Sequence, residues 1–403
     1  MTRTGARLGL AAALWLGAAA AAAQTPFALQ ALGQNVETGT ARDTGRGGWG
    51  MADGDTLTPS TLNPAALADL RFTALWFSGY GTTTNTSGAV AARTTRRVLL
   101  PNVRLAVPLE RGRLALHAGF NIRRSLQYQT LVDIASDHFG EPVSGYERYN
   151  RDGTMYDVPV GLAWRATGGL SLGATLNLVR GSIDETITQV FTDPLGNYYL
   201  PNTRDQLDKL SGQSVTASVL ADGLGFVKVG ASYTPAYDLE FDRRIGVGGV
   251  AAKDDERFTC GMPAEYKAGL LVALGRGWRF GADGQLMRYS EFAGRPDWAP
   301  SLRDEWTVAT GFERRWSRNP QGRGYTLPLR CGFSWRRWAH TIAGEPLDER
   351  MISIGTGVPF RDRLGMIDVS LSYSWIGDEA DHGYRCRSWR LGVSLTGLEP
   401  LIF

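Results

Sequence analysis

The feature that most constrains this chain is an apolar residue at every second position, repeated in segment after segment. In the clearest case Ile367, Val369, Leu371, Tyr373 and Trp375 alternate with Asp368, Ser370, Ser372 and Ser374. Successive side chains of a strand point to opposite faces, so a period of two marks a strand with two unlike surroundings. The same pattern runs through Leu114–Arg123, Leu170–Leu178, Trp278–Leu286 and Trp389–Thr396. The polar positions are mostly Gly, Ser, Thr and Asn, which suit a confined lumen better than bulk water. No apolar stretch past residue 24 approaches the roughly 20 residues of a spanning helix. A wall of strands needs only about 9–11 residues per crossing, half of them apolar. The mean hydropathy of -0.19 and the 12 Trp, 14 Tyr and 15 Phe fit such a wall with aromatic girdles.

Strands are expected near 72–80, 97–109, 113–132, 154–166, 169–182, 211–221 and 225–237, then near 258–274, 277–290, 304–315, 324–337, 348–360, 364–376 and 387–397. The total of about fourteen is even, as bacterial barrels require. Short links such as Glu110–Gly112, Thr167–Gly169, Gly275–Gly277 and Arg361–Arg363 alternate with long polar ones at 133–153, 183–210, 238–257 and 291–303. The short set would be periplasmic turns and the long set extracellular loops. The fold expected is all-β: a transmembrane antiparallel β-barrel with an N-terminal plug segment. Pro101, Pro159, Pro263 and Pro328 fall inside strands. Proline cannot donate to a ladder, so the first three are candidate wall kinks, read either as a lateral opening or as rim bulges.

Three divisions of the chain are expected. Residues 1–23 form a signal peptide, with Arg3 and Arg7, an apolar core from Leu8 and a small-residue run before Gln24. Residues 24–70 are glycine-rich and aperiodic, and form a plug. Residues 71–403 form the barrel, and Leu401-Ile402-Phe403 is read as a signal for the outer-membrane barrel assembly machinery. The net charge of +3 gives no case for nucleic acid. The arginines are expected in loops and turns. Two of Cys260, Cys331 and Cys386 could pair in an oxidising compartment, but their spacing names no pair.

Several stretches are similar to a known family. Asn63-Pro64-Ala65-Ala66-Leu67 follows a glycine-rich approach. Met262-Pro263-Ala264-Glu265-Tyr266 leads into Gly269-Leu270 and a hairpin partner ending Tyr289-Ser290-Glu291-Phe292. Leu327–Phe333, Ile352–Gly357 and Ile367–Leu371 follow. On these residues the chain resembles the FadL-type outer-membrane transporters, with PorV-like barrels as close relatives. The resemblance implies a fourteen-stranded barrel in the bacterial outer membrane, plugged at its N-terminus, through which fatty-acid-like molecules pass by diffusion. It makes Asn63, Pro64 and Ala65 the plug motif. The PorV-like relatives imply an alternative, a non-transporting accessory barrel for secretion or protein delivery. The loops here are polar and arginine-rich where a lipophile-capturing member would carry an apolar groove.

Enzymatic chemistry finds no anchor. Gly45-x-Gly47-x-x-Gly50 lacks the βαβ setting of a dinucleotide fingerprint. Asp53-Gly54-Asp55 lacks the rest of a calcium loop and reads as a turn. His117, His138, His340 and His382 form no paired-histidine zinc motif, and His117 falls on the lumen-facing register. The expectation is no catalytic residue, no metal and no cofactor. The expected partners are outer-membrane lipids, a hydrophobic small-molecule substrate, the assembly machinery, and proteins met through the long extracellular loops. Transport further predicts an apolar pocket inside the barrel beside residues 40–70.

Overall fold

The computed structural model describes residues 33–88, 92–138, 141–192, 200–248, 250–251, 256–291, 302–315, 317–318, 325–342, 344–360 and 364–399. The expected signal peptide and the terminal Leu401-Ile402-Phe403 lie outside the described residues.

The alternation becomes a closed wall of 14 antiparallel strands. In chain order they are β1 (Thr73–Gly88), β2 (Ala92–Glu110), β3 (Leu114–His138), β4 (Glu141–Thr167), β5 (Leu170–Thr192) and β6 (Asn202–Leu224). Two strands in pieces follow, β7 (Val227–Thr234 and Tyr237–Val247) and β8 (Glu256–Met262 and Glu265–Gly275). The wall is completed by β9 (Trp278–Met287), β10 (Glu305–Arg314), β11 (Leu329–Ile342), β12 (Glu345–Phe360), β13 (Gly365–Ile376) and β14 (Tyr384–Glu399). Closure is made by β14 on β1, from Glu399 opposite Thr73 to Tyr384 opposite Gly88. Pairing first strand to last removes the sheet edges that would otherwise recruit other strands.

Each strand separates two environments. On β12, Ile352 and Ile354 are 51% and 57% exposed while Ser353 between them is 4% exposed. On β13, Asp368, Ser370, Ser372 and Ser374 are buried while Ile367 and Leu371 point outward. Leu75, Phe77, Leu172, Leu176, Leu391 and Val393 continue the outward apolar face onto other strands. In water so large an apolar surface would drive aggregation, whereas hydrocarbon satisfies it. Among the described residues no helix is long and apolar enough to cross a membrane.

The structure departs from the sequence reading in three places. Most of 133–153, 183–210 and 238–257 is strand rather than loop. β4 alone runs for 27 residues, against the roughly 9–11 that cross a bilayer. Beyond the lipid both faces meet water, so the ladder continues while the apolar alternation that betrays it stops. The arginines are not confined to loops and turns: Arg42, Arg46, Arg104, Arg124, Arg279 and Arg330 are buried inside the barrel. The three cysteines, for which the sequence named no pair, are free thiols. β11 starts at Leu329 rather than near residue 324, directly after Pro328.

The prolines disturb the ladder in different ways. At Pro101 a bulge sets Gly79 against Leu100 and Pro101, because Ser78 pairs with Asn102 but Tyr80 with Leu99. Pro159 faces Asn177 of β5 without a shift, and the β3–β4 ladder skips from Ala118–Val160 to Asn121–Asp157 beside it. Pro263 coincides with a full interruption of β8, and Pro235 with one of β7.

Candidate functional site

Residues 33–70 lie inside the barrel and make two anchored turns. A short helix, α1 (Ala41–Gly45), is opened by a capping box in which Thr40 and Asp43 bond reciprocally, and it packs on β11 to β14. A 3-10 helix over Pro64–Asp69 packs on β3 to β6. The plug thus touches both the early and the late strands.

The plug motif is a clamp. Asn63 is fully buried, and its Oδ1 accepts from the Ala65 N–H at 3.0 Å. Its Nδ2 donates to the Met51 carbonyl at 2.7 Å and to the Val219 carbonyl of β6 at 3.0 Å. Pro64 takes the first helical position, where no N–H is needed. Ala65 is fully buried, and its N–H also donates to Ser218 Oγ at 3.1 Å. Replacing Asn63→Ala takes a donor from the buried Met51 carbonyl and from Val219, leaves the Ala65 N–H with Ser218 alone, and is expected to cost about 1–3 kcal/mol. Equilibrium urea unfolding of liposome-folded protein measures it, and an unchanged midpoint and slope would refute the clamp.

The plug backbone sits directly on the wall. A Cβ placed on Gly332 of β11 would lie 2.2 Å from the Arg46 carbonyl carbon, and one on Gly311 of β10 would lie 2.4 Å from the Arg46 oxygen. From the other side, Gly47 has φ +91, and a Cβ there would meet the Thr310 oxygen at 2.5 Å. The indole of Trp49 covers Gly281 of β9 with the Arg46 guanidinium 4.0 Å above it. Gly45, whose Cβ would lie 2.9 Å from the Gly355 Cα, and Gly47 of the Gly45-x-Gly47-x-x-Gly50 run therefore serve backbone-on-backbone contact.

Around this seam runs a buried network of charges that sequence reasoning missed. Glu313 of β10 is 2% exposed and is shared by four guanidinium groups: Arg42 at 2.9 Å, Arg46 at 3.2 Å, Arg330 at 3.0 Å, and Arg279. Asp53 binds Arg42 at 3.0 Å, Arg46 at 2.6 Å and Arg279 at 3.2 Å. Asp55 binds Arg42 and Arg315, each at 3.1 Å. Arg330 reaches on to Asp368 of β13 at 2.8 Å, and Arg46 closes back on Asp43 at 2.6 Å. Burial pushes the Asp53 carboxyl up, but Arg42, Arg279 and Arg46 outweigh it and hold it well below the usual carboxylate range. Asp55 is lowered in the same way, chiefly by Arg42 against burial. The Asp53-Gly54-Asp55 carboxylates are thus committed to arginines. His117 faces inward, as its register predicted, and meets Thr175 Oγ1 at 3.1 Å.

Above the plug the lumen changes character. A cavity of about 170 Å³ lies between residues 35–51 and the wall, lined by Arg123, Arg124, Glu265, Lys267 and Arg336, with Met155, Met262 and Met287 among its apolar members. It is more polar than the pocket expected there, because the wall positions that face the plug carry charges. The apolar interior lies in a layer built from Leu126, Met155, Ile183, Leu210, Leu239, Phe241 and Met262, with Tyr237 and Met287 packed against it.

One side of this layer meets a break in the wall. The β7–β8 ladder stops at Thr234–Glu265 and resumes at Tyr237–Met262, leaving Pro235-Ala236 opposite Pro263-Ala264. Next to it the β6–β7 register shifts by one residue, from Ala217–Tyr233 to Gly212–Leu239. Inside the break are Tyr237, Met262 and Glu265 of the cavity. Outside it Tyr233, Tyr266, Leu286 and Trp306 rim a groove floored by Ala231, Ala268 and Gly284.

Comparison with known proteins places this architecture. No curated protein matches the chain. Among solved structures, the toluene transporter TbuX of Ralstonia pickettii superposes with a TM-score of 0.59 at 14% identity, over 91% of this chain and 99% of that one. A FadL homologue of Pseudomonas aeruginosa gives 0.60 at 13% identity, over 90% and 99%. The toluene transporter TodX of Pseudomonas putida gives 0.55 at 15% identity, over 91% and 99%. At such identities the likeness concerns the fold, a FadL-type barrel of the bacterial outer membrane. Of the family models, that of BamG matches residues 6–382, nearly the whole length, and the chain belongs to the BamG family.

Proposed function

We propose that the protein is a passive conduit for hydrophobic or amphipathic, fatty-acid-like small molecules, with no catalytic step. The observation that carries this reading is the wall break at Pro235 and Pro263, set between an inner cavity and an apolar outer groove. A molecule with an apolar body would enter the layer around Leu126, Ile183 and Phe241, replacing side-chain contacts with its own. The clamped plug obstructs the straight route along the axis. The break offers a side route past Tyr237 and Met262 to the groove between Tyr233 and Tyr266, and so into lipid. Weak binding at each stage suffices, because a conduit must release what it admits. The toluene transporters that share the fold make small apolar compounds the natural first probes.

Replacing both prolines, Pro235→Val with Pro263→Val, returns two N–H donors and lets both strands run unbroken. Uptake of a fluorescent fatty acid into proteoliposomes is expected to fall about tenfold, which corresponds to ~1.4 kcal/mol on the barrier. Uptake equal to the parent protein, in a variant that folds, would sink the side route.

Membership of the BamG family favours a second reading, an accessory barrel that holds or delivers partner proteins. The hairpins β3–β4 and β5–β6, which continue beyond the lipid, would supply its contact surface. That reading predicts stoichiometric recovery of a protein partner, lost when the hairpins are trimmed to the rim.

A further inference from the structure

Above the apolar layer, the inner faces of β3 to β7 enclose a cup of about 520 Å³. We infer that this cup binds the sugar head of an amphiphile, a neutral pyranose-sized ring whose apolar tail lies in the layer beneath. The inference deepens the conduit reading, on which the placement of the tail rests.

The lining excludes the simpler ligands. Asp208 and Arg243 form a two-pronged pair, Nε to Oδ1 at 2.8 Å and Nη2 to Oδ2 at 3.0 Å, with the Asp208 side chain only 5% exposed. Gln206 adds a third donor to Asp208 at 3.1 Å. Glu185 accepts from the Tyr149 hydroxyl at 2.7 Å and faces Arg151 at 3.7 Å. Glu147, the third carboxylate of the lining, accepts from the Gln189 amide at 2.8 Å. Both guanidinium groups face carboxylates, so the cup offers no spare cation to an anionic ligand, and each carboxylate already accepts from a neighbouring donor. A wholly apolar ligand would strip water from those paired groups and give nothing back. A sugar satisfies both sides. Each hydroxyl donates and accepts, adjacent hydroxyls match the two-atom spacing of a carboxylate or guanidinium fork, and the C–H face of the ring is apolar.

The cup also supplies aromatic faces. Tyr128 and Tyr149 stand 6.2 Å apart at 55°, two walls of a corner. Phe241 lies below them, stacked at 4.8 Å on Phe258, and the Arg243 guanidinium is 4.8 Å from that second ring. Such rings offer a large apolar contact at little cost in side-chain freedom. Phe241 and Ile183 belong both to the cup and to the apolar layer. A tail attached to a bound sugar therefore passes into the layer without crossing water.

The test uses three probes on the full protein in nanodiscs: octyl glucoside and octyl tetraethylene glycol, each below its micelle concentration, and methyl glucoside. Native mass spectrometry or calorimetry reads binding in the parent protein and in a double variant, Asp208→Ala with Arg243→Ala. The double variant removes both charges together and so leaves neither stranded. Octyl glucoside is expected to bind at least about tenfold more tightly than the glycol, with the preference lost in the variant. Equal binding of the two octyl probes, unaffected by the variant, overturns the sugar cup and leaves the conduit standing. Cup-dependent binding of methyl glucoside that the octyl tail does not strengthen supports the cup and removes the tail site, and the conduit reading with it. Binding of neither sugar probe overturns the cup.

Discussion

Glu313→Gln is expected to loosen the plug more than any other single change to a side chain. The carboxylate is shared by Arg42 and Arg46 from the plug and by Arg279 and Arg330 from the wall. The amide keeps the shape but removes the charge, leaving four buried cations with Asp43, Asp53, Asp55 and Asp368 to share. Breaking a buried ion pair from one side costs roughly 3–5 kcal/mol, because the remaining charge is stranded away from water. The measurable results are earlier urea unfolding in liposomes, cleavage of the plug by added protease, and leakage of a small dye. A variant with parental unfolding and no leak would show that the network is ornamental. Replacing Glu313→Asp should recover part of the loss, since charge is kept while reach is shortened.

The second large effect is steric. Gly332→Ala puts a methyl group 2.2 Å from the Arg46 carbonyl carbon and 2.3 Å from the Gly47 nitrogen. Neither obstacle is the end of a flexible side chain, so backbone must move. Overpacking typically costs 1–3 kcal/mol where side chains can yield, and this site has none to yield. The expected outcome is a barrel that assembles and resists detergent with its plug displaced. Ion conductance in planar bilayers would rise while the heat-modifiable gel shift of the barrel persists. Conductance at the parental level would mean that the close contact is tolerated. Gly284→Ala is the control, because a Cβ there meets nothing within 4 Å.

The barrel was legible because lipid on one side and lumen on the other impose a rhythm. Ile367 to Trp375 carries it fully, and the turns Glu110–Gly112 and Gly275–Gly277 fall where that rhythm breaks. The same cause explains what was missed. Past the membrane β4 and β5 have water on both faces, so Asp184, Glu185 and Thr186 read as loop though they pair with Asp152, Arg151 and Asn150. The plug network was hidden by distance, since Arg42 and Glu313 are 271 residues apart. A signal was present nonetheless. Arg279, Glu313, Arg330 and Asp368 each stand at a lumen-facing position of the alternation, at the strand ends that share one rim of the barrel. Charges of both signs at one level of a lumen call for partners, and Arg42, Arg46, Asp53 and Asp55 were the nearest unassigned set. Asn63, Pro64 and Ala65 stood out as a motif, but only the fold shows the Val219 carbonyl and Ser218 hydroxyl they meet.

The plug's two anchors also bear on the order of folding. Pro64–Asp69 rests on β3 to β6, which follow it closely in the chain, so that contact closes shorter loops than the other anchor does. The Arg42 and Arg46 side of the plug must wait for Glu313, Arg330 and Asp368. Until those arrive Arg42 and Arg46 have only Asp43, Asp53 and Asp55 of their own segment as partners. The plug then acts as an internal gauge of completion: its Arg42–Arg46 part seats only on a nearly finished wall, just as β14 comes to lie against β1.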